Sequence, residues 1–101
     1  MIIINTTFHV ENSIKHKFLD WLLNTYRPQS MASGLFESSS LSRVLLDQGD
    51  DCSTYAFQLT IPSLDAAMAW HDGEGDALRQ QMYKICGAKA LCFTTYLETM
   101  D

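Results

Sequence analysis

The sequence is 101 residues long and weighs 11.4 kDa; 47% of it is hydrophobic and 19% charged, with seven Lys and Arg against twelve Asp and Glu. That length fits one domain, residues 1–101, and a chain of this mass buries roughly 65% of its unfolded surface, enough for a core without metal or disulfides. The composition argues against disorder, and a net charge of −5 with no basic cluster argues against nucleic-acid or anionic-membrane partners.

From the N-terminus, Ile2, Ile4, Thr6, Phe8 and Val10 share one parity and Ile3, Asn5, Thr7 and His9 the other, which predicts a strand. Its flanks are not those of a signal peptide, and no apolar run approaches the ~20 residues that span a bilayer. Glu11-Asn12-Ser13 stops the strand and offers an N-cap. Ile14, Phe18, Trp21 and Leu22 then follow at helical spacing, and Pro28 marks Arg27 as the helix end. Residues 35–46 read as a second strand whose phase switches, suggesting a bulge between Phe36 and Val44. Asp47-Gln48-Gly49-Asp50-Asp51 forms a hairpin loop, and Tyr55, Phe57, Leu59 and Ile61 alternate with polar residues in the clearest strand of the chain.

Pro62 ends that strand and Ser63 caps a second helix, whose inner face carries Leu64, Ala67, Met68 and His71. Gly73 and Gly75 interrupt it, Asp76 caps a continuation through Leu78, Met82 and Ile85, and Gly87 closes it. A last strand occupies residues 89–99, with Leu91, Phe93, Thr95 and Leu97 on one parity, read as the core side, and Cys92, Thr94, Tyr96 and Glu98 on the other. The order β-α-β-β-α-β predicts an α+β, ferredoxin-like sandwich: an antiparallel sheet in the order 4-1-3-2 with both helices on one face. Phe57 and Phe93 are then expected in the core. The other face, with Ala56 near its centre, must stay wet or be covered by another chain.

The opening Met1-Ile2-Ile3-Ile4-Asn5, Trp21, Pro28, Ser33-Gly34-Leu35-Phe36, Arg43-Val44-Leu45, Thr54-Tyr55-Ala56-Phe57-Gln58 and Ala77-Leu78-Arg79 occur in the order and spacing of a bacterial family. Through them the chain resembles domain-of-unknown-function family 4286, nearly end to end. The resemblance implies a place in the dimeric α+β barrel group, in which two ferredoxin-like subunits pack sheet to sheet. It implies no catalytic residue. Where the family carries His-Ile-Pro, this chain has Tyr26-Arg27-Pro28, so no role of that histidine carries over.

Candidate chemistry is sparse. Residues 71–76 suggest a calcium loop, but a loop starting at Asp72 needs Gly at position 77 and Glu at position 83, and the chain has Ala77 and Tyr83. His9, His16 and His71 lack zinc spacing with one another or with Cys52, Cys86 and Cys92, so no metal, cofactor or structural disulfide is expected and a reducing, cytoplasmic setting fits. There is no phosphate loop and no nucleophile elbow. His9, Gln58, Tyr96 and Glu98 fall on the uncovered face as candidate ligand-binding residues, where a histidine near a carboxylate can act as a base. Tyr26, which stands where the family carries a histidine, and Arg43, in the run Arg43-Val44-Leu45, complete the set. The expectation is a homodimeric, non-catalytic binding or interaction module. Its alternatives are a cofactor-independent small-molecule enzyme of the barrel type, or a ligand-sensing regulatory domain.

Overall fold

The β-branched run at the N-terminus forms β1 (Ile2–Glu11), with Ile2, Ile4, Thr6, Phe8 and Val10 buried. The computed structural model describes residues 1–45 and 51–101; of the expected hairpin loop, residues 47–50 lie outside the described residues. Among the described residues β1 is followed by a 3-10 turn (Asn12–Ile14), α1 (Lys15–Trp21), a π-helical turn (Leu22–Tyr26) and α2 (Arg27–Ala32). Then come β2 (Ser38–Arg43), β3 (Cys52–Ile61), α3 (Leu64–Trp70), a second π-helical turn (His71–Gly75), α4 (Asp76–Cys86) and β4 (Ala90–Glu98). The strands form one antiparallel sheet, β2-β3-β1-β4, which read from the other edge is the expected 4-1-3-2. Both helical stretches lie on one face, as the ferredoxin-like topology requires.

Three local expectations change. Pro28 does not end the first helix. The Arg27 N–H reaches back five residues to the Leu22 carbonyl, and the extra residue of that π turn opens the ladder where the proline ring would otherwise clash. Gly73 and Gly75 do not break the second helix either, because a π turn again carries it through. Asp76 therefore caps no free helix end; it pairs with Arg79 at 3.6 Å. Asn12 does not cap α1, since its side chain accepts a 2.6 Å bond from the Ser53 hydroxyl. The Ser63 cap is as expected, accepting from the Ala66 N–H at 3.2 Å.

The second strand has no bulge in its paired stretch. Its register runs without a slip from Ser38 opposite Thr60 to Arg43 opposite Tyr55. The apolar residues that confused its phase lie beyond the strand: Phe36 packs edge-on against Trp70 at 4.9 Å, and Leu45 is exposed.

The core is aromatic. Phe8 meets Phe18 at 5.1 Å, Trp21 at 6.3 Å and Tyr26 at 5.9 Å, and Tyr26 meets Phe57 at 5.3 Å. Rings thus fill the space between sheet and helices, with Leu22, Met82 and Ala67 closing it. Gly87 ends α4 at φ 62° and ψ −145°, a region that side chains enter only under strain. Gly87→Ala is expected to lower stability by about 1–3 kcal/mol in urea unfolding.

The last strand is the main correction. Phe8 pairs with Cys92, Thr6 with Thr94 and Ile4 with Tyr96, so Cys92, Thr94 and Tyr96 face the helices. Leu91, Phe93 and Leu97 point the other way, and Phe93 is 63% exposed in the single chain rather than part of its core. The second helical stretch sits over the face of β4 that carries Cys92 and Thr94, where His71 meets Thr94 at 3.0 Å and the Tyr83 hydroxyl lies 3.6 Å from Cys92 Sγ.

Candidate functional site

The uncovered sheet face is built from four strands in register. Across one row stand Ser38, Thr60, Ile3 and Leu97; across the next, Ser40, Gln58, Asn5 and Thr95. The third row is Ser42, Ala56, Thr7 and Phe93, and the fourth ends in Thr54, His9 and Leu91. Read along the strands, the face has a serine column on β2, polar columns on β3 and β1, and an apolar column on β4. Leu91 is 56% and Leu97 40% exposed, which with Phe93 makes an apolar strip at one side of the sheet, interrupted by Thr95.

The polar columns are tied down within the plane. His9 Nδ1 lies 3.0 Å from Thr54 Oγ1, Gln58 Nε2 donates to Asn5 Oδ1 at 3.3 Å, and Asn5 Nδ2 donates to Thr7 Oγ1 at 3.4 Å. Ser38 and Thr60 hydroxyls are 2.6 Å apart. Groups already paired sideways lose less when a second surface excludes water from them.

The six candidate residues divide between the two faces. His9 and Gln58 are on the open face, on neighbouring strands. Tyr96 and Glu98, expected beside them, share the helix-facing parity of β4 with Thr94, so no His9–Glu98 pair exists. Arg43 ends β2 opposite Tyr55, on the helix-facing side and exposed. Tyr26 is fully buried at the end of the first π turn.

On the helix side a polar cluster follows β4. His71 opens the second π turn, its Nε2 3.0 Å from Thr94 Oγ1, and Thr94 in turn is 3.4 Å from Thr6 Oγ1. The His71 ring packs edge-on against Tyr96 at 5.9 Å, and its Nδ1 lies 3.4 Å from Asp72 Oδ1. Arg79 donates from Nη2 to the His71 carbonyl at 2.8 Å, while its Nη1 is buried without a hydrogen-bond partner among the described residues. The Tyr83 hydroxyl sits 3.6 Å from Cys92 Sγ. Sequence reasoning missed His71, Arg79 and Thr94 because the face of β4 was reversed. The signal was Thr6, a hydroxyl on the buried parity of β1 that needs a polar neighbour.

Burial pushes the Tyr26 phenol up to about 12, against smaller opposing contributions from a hydrogen bond with Thr6 and the positive charge of Arg79. The neutral phenol is thus favoured by folding. Its stabilisation is complete below the ordinary value near 10 and is lost as pH rises from about 10 to 12, by about 2–3 kcal/mol. Chemical denaturation between pH 9 and pH 12 should show that loss, and Tyr26→Phe should remove most of it. Burial likewise raises Tyr96, aided by the negative charge of Asp72 and opposed by Arg79. Tyr83 is raised first by its contact with Cys92, then by burial.

None of the three cysteines is in a disulfide. Among the described residues no three His, Cys, Asp or Glu side chains converge to hold a metal, and no helix is long and apolar enough to cross a membrane.

A family model described as a domain of unknown function (DUF4286) matches residues 1–100. No curated protein matches the chain. Among solved structures the chain is similar to HapK from Hahella chejuensis, with TM-score 0.73 and 14% identity over 99% of this chain and 93% of that one. It is also similar to a dimeric ferredoxin-like protein from an uncultured marine organism, with TM-score 0.68, 16% identity, and 99% and 96% coverage. A third is an EthD family protein from Bacillus halodurans, with TM-score 0.67, 16% identity, and 99% and 100% coverage. At these identities the likeness is one of fold.

Proposed function

We propose that this chain, which belongs to the DUF4286 family, works as one half of a homodimeric, non-catalytic binding module assembled through the open face of its sheet. The observation that carries this reading is the strip of Leu91, Phe93 and Leu97, exposed in the single chain on a face that the helices do not cover. Four strands about 4.8 Å apart and about 30 Å long present a footprint of roughly 600 Å². With its rim, that approaches the roughly 800 Å² per partner of a standard interface. A second copy is the occupant best suited to it, since a two-fold pair lays the strip and the in-plane polar columns of each chain against the same features of the other. The solved structure of similar fold that is described as dimeric supports a homodimer. The ring-filled layer between sheet and helices favours binding at surfaces over catalysis in an enclosed chamber. Light scattering on the untagged protein tests the assembly: a mass of about twice 11.4 kDa is expected, and a monomer at tens of micromolar overturns it.

A further inference from the structure

The four rows of the open sheet face contain no Asp, Glu, Lys or Arg. Among the described residues, His9 is the side chain in those rows that belongs to the type whose charge ordinarily changes between pH 5 and 8. It stands on a central strand, with its Nδ1 3.0 Å from Thr54 Oγ1 on β3 and with Leu91 of the apolar strip beside it on β4. The helices lie on the other side of the sheet, and with them His16 and His71. The titratable groups nearest to His9 on its own side are therefore Glu11, two residues along β1, Cys52 opposite Glu11, and Lys89, one residue before β4. Glu11 and Lys89 are exposed at the rim of the sheet. The Thr54 hydroxyl can accept from a protonated Nδ1 or donate to a bare one, so this hydrogen bond does not choose between the neutral and the charged ring. What separates the two forms is water. In the single chain His9 is exposed, and water carries the charge. A second copy that buries Leu91 and Phe93 takes water from the ring beside them as well.

We propose that His9 makes the assembly through the open face a pH-sensitive one: two copies hold together while their His9 rings are neutral and part as those rings take protons. This switch rests on the face-to-face dimer proposed above. An imidazolium covered by the partner loses its hydration, and the rows around it offer hydroxyls, amides and apolar side chains but no carboxylate to offset that loss. The partner is a second copy, so each pair covers two His9 rings and releases them to two protons on parting. The sign follows: the affinity is fully present above the ordinary titration range of histidine and is lost as pH falls through it. With both charged rings excluded from the pair, the dissociation constant rises by up to about a hundredfold from pH 7.5 to pH 5.5. The overall charge of −5 per chain acts in the opposite direction, because acid reduces the repulsion between two copies. Parting in acid is thus a signature of His9 and not of net charge.

The test is sedimentation equilibrium of the full chain over a dilution series at pH 7.5 and pH 5.5, at one ionic strength, with circular dichroism at both. The dissociation constant of the unmutated protein should rise by at least about tenfold in acid with the circular dichroism unchanged. His9→Gln keeps a donor and an acceptor but carries no charge, and its constant should move by less than about threefold. A dimer whose constant does not rise in acid overturns the switch and leaves the dimer standing, and so does a His9→Gln protein that parts in acid as the unmutated one does. A monomer at tens of micromolar at both pH values overturns the switch and the dimer together. Parting that comes with loss of the circular dichroism is unfolding and also overturns the switch. A second measurement needs no variant: by reciprocity, the midpoint of the His9 ring titration, followed by NMR, should fall as protein concentration is raised through the dissociation constant. A midpoint that does not fall overturns the proposal even if His9→Gln fails to fold.

Discussion

Phe57→Ala is expected to lower stability by about 3–5 kcal/mol, while Phe93→Ala changes the unfolding of the monomer by less than about 1 kcal/mol. Both phenylalanines lie mid-strand on what reads as an apolar parity, yet their surroundings differ. Phe57 is fully buried on a central strand, opposite Thr6 on one side and Leu41 on the other, with Tyr26 edge-on at 5.3 Å. Truncating it leaves a cavity beneath Tyr26 that neighbouring rings cannot fill without leaving their own contacts. A chain of this size has about 5–15 kcal/mol in total, so the loss is a large share. Urea unfolding at fixed protomer concentration measures it, because dimer formation makes apparent stability concentration-dependent. A loss below about 1 kcal/mol for Phe57→Ala would mean that the first helical stretch does not pack over β3 as described.

The two phenylalanines also show where the sequence is legible. In β1 and β3 one parity is apolar and the other polar, so alternation alone assigns the faces, and element order then gives the topology. In β4 both parities are mixed: Leu91, Phe93 and Leu97 are the larger apolar residues, but Ala90, Cys92, Thr94 and Tyr96 face the helices. A strand whose outer face is itself an apolar strip carries no contrast for period 2 to detect. What fixes its phase is the register with β1 and the bulk of the helix above it, and neither is a local property.

The helices failed to read for a related reason. Pro28, Gly73 and Gly75 are breakers by propensity, and each falls within or beside a π turn that lets the helix continue. Both turns place a polar side chain toward the sheet, Tyr26 from one and His71 from the other. The candidate site is thus half legible: His9, Gln58 and Tyr26 stand out in the sequence, while His71 reads as part of the second helix's inner face and Arg79 only as part of the run Ala77-Leu78-Arg79. The phase of β4 is what brings Thr94 and Tyr96 beside His71.

With Phe93 outward, the apolar centre of the proposed interface lies on β4 rather than at Ala56. Phe93→Arg should convert the dimer to a monomer at tens of micromolar. Phe93 lies in the middle of the strip, with Leu91 on one side and Thr95 and then Leu97 on the other along the same face of β4. In a two-fold pair it is buried twice, once from each chain, so one substitution places two like charges in a desolvated patch. Aromatic residues at the middle of such patches carry a disproportionate share of binding energy, at least about 2 kcal/mol each on truncation, and a buried unpaired charge adds to that. Ala56, at the centre by sequence reasoning, is two strands away from Phe93, about 10 Å across the sheet. Ala56→Arg should therefore weaken the dimer less than Phe93→Arg. Because Phe93 is largely exposed in the single chain, the variant should keep the circular dichroism of the unmutated protein, which separates loss of assembly from loss of fold. A folded Phe93→Arg protein that still scatters as a dimer would place the interface elsewhere, most simply along the free edges of β2 and β4 or on the outer surface of the helices.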